Sequence, residues 1–211
     1  MRRTALVALA AVATATLGST AAKAMDAPAG STTDRWAACA TVDVRVNLTD
    51  APAGALADVK KAITEVDSAT GLHLRYAGPT ALVPNGDNWL ATGGITLAWA
   101  GQPGSDKLDG SNAGQGGYVA DGSAIRSGFV VLDTHFNGLP GGFGAGGTRG
   151  ALLMHELGHA VGLRHSADPR DIMYPTVTTK TAAWGSGDRA ALASVGTAVG
   201  QSGCNCGCQS R

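Results

Sequence analysis

Val42, Val44, Val46 and Leu48 alternate with Asp43, Arg45 and Asn47, a period of two that predicts a half-buried strand over residues 39–48. The period then lengthens. Leu56, Val59, Ala62, Ile63 and Val66 recur at helical spacing within residues 53–69, and Gly71 stands where that helix should end. Apolar runs at 72–77, 95–100 and 129–132 predict three more strands, with a shorter one at 117–120. Thr148 is placed to cap a helix running through Leu163, and Asp188 to cap a last helix through Val199, weakened by Gly196. Two stretches between these elements, 101–128 and 138–150, are dense in glycine and read as loops, apart from 117–120. Strand, helix, several strands and helix, in that order, predict a single α+β domain with a mixed sheet rather than alternating βαβ units.

Composition sharpens this picture at the ends of the chain. Arg2 and Arg3 precede an apolar stretch from Ala5 to Leu17, and Ala22-Lys23-Ala24 follows. That is the pattern of a secretory signal peptide over residues 1–24, too short to span a bilayer. The paired arginines hint at a twin-arginine route, whose remaining signal is missing. Residues 25–38 then form an expected flexible lead-in to a domain over 39–211. Formal charge is zero over 211 residues, and losing Arg2, Arg3 and Lys23 brings it to −3. Neither value offers an electrostatic footprint for nucleic acid. A secreted, extracellular product is expected to oxidise Cys39, Cys204, Cys206 and Cys208 to two disulfides, one stapling the N-terminal segment to the tail, with three pairings open. The alternative, a thiolate metal site in Cys-Asn-Cys-Gly-Cys, suits an oxidising compartment less well.

The chemistry concentrates at His155-Glu156-Leu157-Gly158-His159-Ala160-Val161-Gly162-Leu163-Arg164-His165. Histidines four apart on a helix share a face one turn apart, so both rings can reach one zinc ion. Glu156 adjoins the first ligand and can take a proton from a zinc-bound water without ligating the metal itself. A third ligand must approach from another direction. Gly162 supplies the positive φ that turns the chain, and His165 returns to complete a three-histidine site with one open position. Five positions at fixed spacing would arise by chance in a chain this long on the order of once in 10⁵.

Eight residues beyond His165 lies Met173, within Asp171-Ile172-Met173-Tyr174-Pro175. The segment from His155 to Pro175 resembles the catalytic segment of matrixins, the matrix metalloproteinase branch of the metzincins, and Ser166 fits that branch. The resemblance implies a mixed twisted sheet above a shallow cleft, a zinc-binding active-site helix, a Met-turn at Met173 below the metal, and a C-terminal helix. It covers about 21 residues; elsewhere only the order of elements agrees. No cysteine-switch motif surrounds Cys39. Further histidines for a structural zinc are reduced to His73 and His135, widely separated, so none is expected. Asp106, Asp109, Asn112 and Asp121 make calcium a possible second ion, though their spacing matches no loop signature and solvated turns explain them better.

The expectation is a zinc-dependent endopeptidase, monomeric and free of membrane after signal removal, acting on protein or peptide. Glu156 is its general base, and Tyr174 either steadies the oxyanion or simply packs. Substrate is expected to lie extended along an edge strand at 117–120, and residues 175–184 to wall the pocket beyond the metal. Two other classes compete: a non-catalytic zinc domain binding protein or cell wall, disfavoured by the presence of Glu156, and an amide hydrolase with the same metal chemistry but a non-protein substrate.

Overall fold

The structure, a computed structural model, describes residues 33–37, 40–176 and 181–196. The expected signal peptide and all four cysteines lie outside these residues. Among the described residues are five strands and three α-helices, besides a short 3-10 turn at Thr134–Phe136: β1 (Val42–Asn47), α1 (Ala55–Thr70), β2 (Leu74–Pro79), β3 (Ile95–Ala100), β4 (Gly114–Asp121), β5 (Ala124–Asp133), α2 (Arg149–Val161) and α3 (Ser186–Gly196). The sheet order is β2-β1-β3-β5-β4. Its first three pairings are parallel and the last, β4 with β5, is antiparallel, which leaves β4 as an edge. The α+β architecture expected from the pattern is the one observed.

The β1 alternation buries Val42, Val44 and Val46 against α1, whose apolar face presents Val59, Ala62, Ile63 and Val66 to the same core. Gly71 ends α1 in the left-handed region at φ 68°, its N–H bonded to the Asp67 carbonyl. On β5 the alternation sends Val130 and Leu132 into that main core and Phe129 and Val131 into a second cluster on the other face, with Trp89 and Leu108. Trp89 and Phe129 meet at a centroid distance of 4.7 Å. Burial on both faces explains why β3 and β5 read as unbroken apolar runs.

Several expected boundaries shift. Asn47 was expected on the solvent side of β1 but is only 4% exposed. Its amide donates to the Ala81 carbonyl at 2.9 Å and its side-chain oxygen accepts from Thr49 N–H, so both ends are satisfied inside the fold. Strand β2 starts two residues late, after His73 takes a positive φ of 55°. Both β4 and β5 extend well beyond the short segments expected, and join through Gly122 and Ser123. Helix α2 closes at Val161 rather than Leu163. Helix α3 opens at Ser186, so Asp188 lies in its first turn instead of capping it, while Gly196 is its final described residue. A Cβ at Gly196 would strike the Thr70 carbonyl, so glycine there lets α3 touch the end of α1.

Within the expected lead-in, residues 33–37 are packed against the domain. Arg35 exchanges backbone hydrogen bonds with Ser123 and Ile125, and buried Asp34 accepts from the Tyr118 hydroxyl at 2.9 Å. Trp36, 6% exposed, donates its indole N–H to the Ala160 carbonyl of α2 at 3.2 Å.

Candidate metal centre and cleft

Helix α2 begins at a Thr148 cap whose hydroxyl accepts from Ala151 N–H at 3.3 Å, as its sequence position suggests. It ends abruptly. Gly162 adopts φ 113° and gives its N–H to the His159 carbonyl, while Leu163 N–H reaches back to the Gly158 carbonyl at 2.9 Å. This paired closure satisfies the last carbonyls and turns the chain so that His165 comes back toward the helix. His159 Nε2 then lies 3.2 Å from His155 Nε2 and 3.2 Å from His165 Nε2. Among the described residues these three form the one cluster of at least three His, Cys, Asp or Glu donors.

The donor set fits zinc. Three nitrogens each 2.0–2.1 Å from a tetrahedral ion should stand about 3.3 Å apart, close to the spacing seen. The rings are also held in the required tautomer. His155 Nδ1–H donates to the Ile172 carbonyl at 2.7 Å and His159 Nδ1–H to the Leu163 carbonyl at 2.9 Å, leaving each Nε2 with its lone pair. Burial pushes the His155 ring down from its ordinary value, and pushes His159 down to about 3, with the neighbouring rings of His155 and His165 adding to the effect. Both are therefore neutral, the form a metal needs.

Glu156, 5% exposed, sits between α2 and the start of β4. A Cβ at Gly114 would come within 3.2 Å of its Cγ, and one at Gly116 would overlap its backbone carbonyl. Burial raises its carboxyl to about 8, opposed by a hydrogen bond from Gly116 N–H. A dication held by the neighbouring rings would draw it back down.

The floor is built by two carboxylates used reciprocally. Asp188 on α3 accepts from Ile172 N–H at 2.6 Å, Met173 N–H at 3.1 Å and Gly185 N–H at 2.9 Å. Asp171 in the turn accepts from Gly187 N–H at 3.1 Å, at the start of α3, and from the Ser166 hydroxyl at 2.7 Å. Each segment thus supplies the acceptor for the other's orphan donors. Met173, 1% exposed, is thereby pressed against α2, its sulfur 2.5 Å from where a Cβ on Gly158 would stand.

A cleft of about 310 Å³ opens over this site, lined by Asn112 to Gly116, the three histidines, Glu156, Tyr174, Pro175 and Thr176, among others. The lining part of the edge strand is therefore its beginning, where 117–120 had been expected; Gly117 faces the Phe129 ring on the other side of the sheet. Of the expected wall at 175–184, residues 177–180 lie outside the described residues, and Trp184 turns into the core with its N–H on the Glu65 carbonyl. Tyr174 is half-buried and lines the cleft. His73 and His135 are exposed and outside the histidine cluster. The carboxylates considered for calcium serve separate local contacts. Asp106 holds Gly86 N–H and Lys107, Asp109 holds Ser111, and Asp121 pairs with Arg126. Pattern reading missed the acceptor roles of Asp171 and Asp188, since each reaches across the fold; the only signal was two acids bracketing the Met173 segment and the start of α3.

The matrixin family model matches residues 92–194, from before β3 to near the end of α3. Matrilysin of the cat, Felis catus, is 65% identical over 26 residues, 12% of this chain and 10% of matrilysin's length. In its fold, its histidine cluster and its family match the chain resembles the zinc metallopeptidases of the metzincin type. Within that class, the chain is matrixin-like.

Proposed function

We propose that this chain is a secreted zinc endopeptidase in which His155, His159 and His165 hold the metal and Glu156 is the general base. The observation that carries the proposal is the convergence of three Nε2 atoms at 3.2 Å spacings beside a buried carboxylate that opens onto the cleft. A bound zinc supplies Lewis acidity, polarising the scissile carbonyl and bringing the pKa of water toward neutrality. Glu156 accepts the proton of the attacking water and returns it to the leaving amine. Gly116 N–H holds the Glu156 carboxyl in place through both transfers. The free edge of β4 offers backbone donors and acceptors beside Glu156, which suits a peptide lying extended along Asn112 to Gly116. Tyr174 lines the cleft, and its hydroxyl is assigned as the donor to the developing oxyanion. Gly162 and Met173 support the site without touching substrate, by turning the chain and by packing under α2.

Secretion is proposed from residues 1–24 and from kinship with matrixins; no helix among the described residues is long and apolar enough to cross a membrane. The test is hydrolysis of an unstructured protein by the purified chain, beside Glu156→Ala with its zinc content measured. The parent should cleave, and the variant should keep its zinc while losing at least about a hundredfold in kcat/KM. A variant as active as the parent removes Glu156 from the mechanism. Zinc-loaded proteins that both fail to cleave a broad range of peptides leave the non-catalytic binding domain as the better description.

A further inference from the structure

Residues 138–147 include six glycines and contribute Leu139, Gly146 and Gly147 to the cleft. Such a segment loses more backbone entropy on ordering than any other composition, so fixed anchors must hold it. Two are the first N–H groups of α2: Arg149 N–H bonds the Pro140 carbonyl at 2.9 Å and Gly150 N–H the Gly142 carbonyl at 3.0 Å. The third is an ion pair. Asp58 Oδ2, on α1, accepts from Arg149 Nε at 2.8 Å, from Arg149 Nη2 at 2.7 Å and from Gly142 N–H at 3.0 Å.

Arg149 is an odd choice for the first residue of a helix. A cation there opposes the helix dipole, and burying an ion pair adds little net stability. Its side chain is 9% exposed and that of Asp58 13%. The pair ties α1 to α2, with Arg149 Nη2 also on the Ala53 carbonyl at 3.2 Å, and its third bond, from Gly142 N–H, extends that tie to the loop. Two residues further on, Gly144 accepts from Ala182 N–H at 3.2 Å, and Ala145 bridges Thr181. The anchored loop therefore also holds Thr181 and Ala182.

We infer that Asp58 is a positioning residue for substrate selection, holding the 138–147 loop, with its cleft-lining Leu139, Gly146 and Gly147, in the one arrangement that gives the cleft its side-chain preference. This rests on the peptidase proposal above. The test uses Asp58→Asn and the double variant Asp58→Leu/Arg149→Met, which removes both charges and so leaves no unpaired ion in the interior. Each is compared with the parent on peptides carrying aliphatic, aromatic or charged residues on either side of the scissile bond. Zinc content should be unchanged, the spread of kcat/KM across the panel should narrow about tenfold, and KM should rise more than kcat falls. Amide exchange should accelerate at 142–147 and 181–182 but not at 153–159. A folded double variant with the parent's preferences and the parent's exchange overturns the inference. A parent that holds zinc yet cleaves no peptide overturns the peptidase proposal instead, and exchange still decides the anchoring: unchanged rates refute it, and faster rates confine Asp58 to ordering the loop.

Discussion

The two glycine-rich stretches of this chain look alike in sequence and do opposite things. In β4, Gly116 leaves no room for a side chain because the backbone of α2 passes against the strand at Glu156, and at Gly114 the side chains of Leu132 and Glu156 fill the space. In the 138–147 loop, Gly138 and Gly144 have nothing within 4 Å of where a Cβ would stand, while Gly142 and Gly146 take positive φ. Glycine in the strand serves contact; in the loop it serves the path of the chain, except at Gly141, where a Cβ would meet Arg149 Nη2 at 2.8 Å. Tertiary neighbours, not local composition, distinguish the two.

The largest break in this contrast should come from Gly116→Val. Its side chain must displace either β4 or the backbone of Glu156, so a loss of about 3 kcal/mol or more is expected, with activity lost alongside. Thermal melting checks this; a variant that melts with the parent would mean that β4 stands further from α2 than described. The helix that follows these stretches gives a second, smaller effect. His159 and His155 are held neutral in the fold by depressed pKa values, whereas the unfolded chain protonates near 6.5. The unfolded state then binds more protons between about 6.5 and 3, so the stability they contribute is complete above 6.5 and is lost as pH falls through that window. Chelator-treated Glu156→Gln, which removes the opposing titration of a carboxyl raised to about 8, should melt progressively lower from about pH 6.5 to pH 4, and the parent's metal affinity should weaken in parallel. A flat melting profile over that range would contradict the buried neutral rings. The smallest change should be Gly144→Ala. With open space and no positive φ, it should leave stability unchanged or raise it by about 0.4–1 kcal/mol, through the unfolded chain. A drop as large as that for Gly116→Val would erase the distinction between strand and loop.

What could be read from sequence follows from the range of the interactions involved. The α1 face, the Thr148 cap, the Gly162 closure and the three histidines are set by neighbours within one or two turns, so spacing alone reveals them. The extent of β4 was hidden because glycine is disfavoured in strands unless another backbone approaches, and that backbone lies some forty residues away in sequence. Asn47 was assigned to solvent by alternation, yet the 81–82 segment folds over it and supplies its partner. Asp171 and Asp188 looked like ordinary turn and cap residues, because the N–H groups they satisfy belong to each other's segments.

The reciprocal carboxylates also make the end of the domain part of its chemistry. Asp188 holds the N–H of Ile172, and the carbonyl of that same residue receives the Nδ1–H of His155. A single peptide unit and its neighbour thus connect the first turn of α3 to the first imidazole. Fraying of that turn would free the ring to rotate before any strand had parted. Helix α3 thus helps to set the ring's orientation, and loosening it is expected to weaken metal binding at the proposed site.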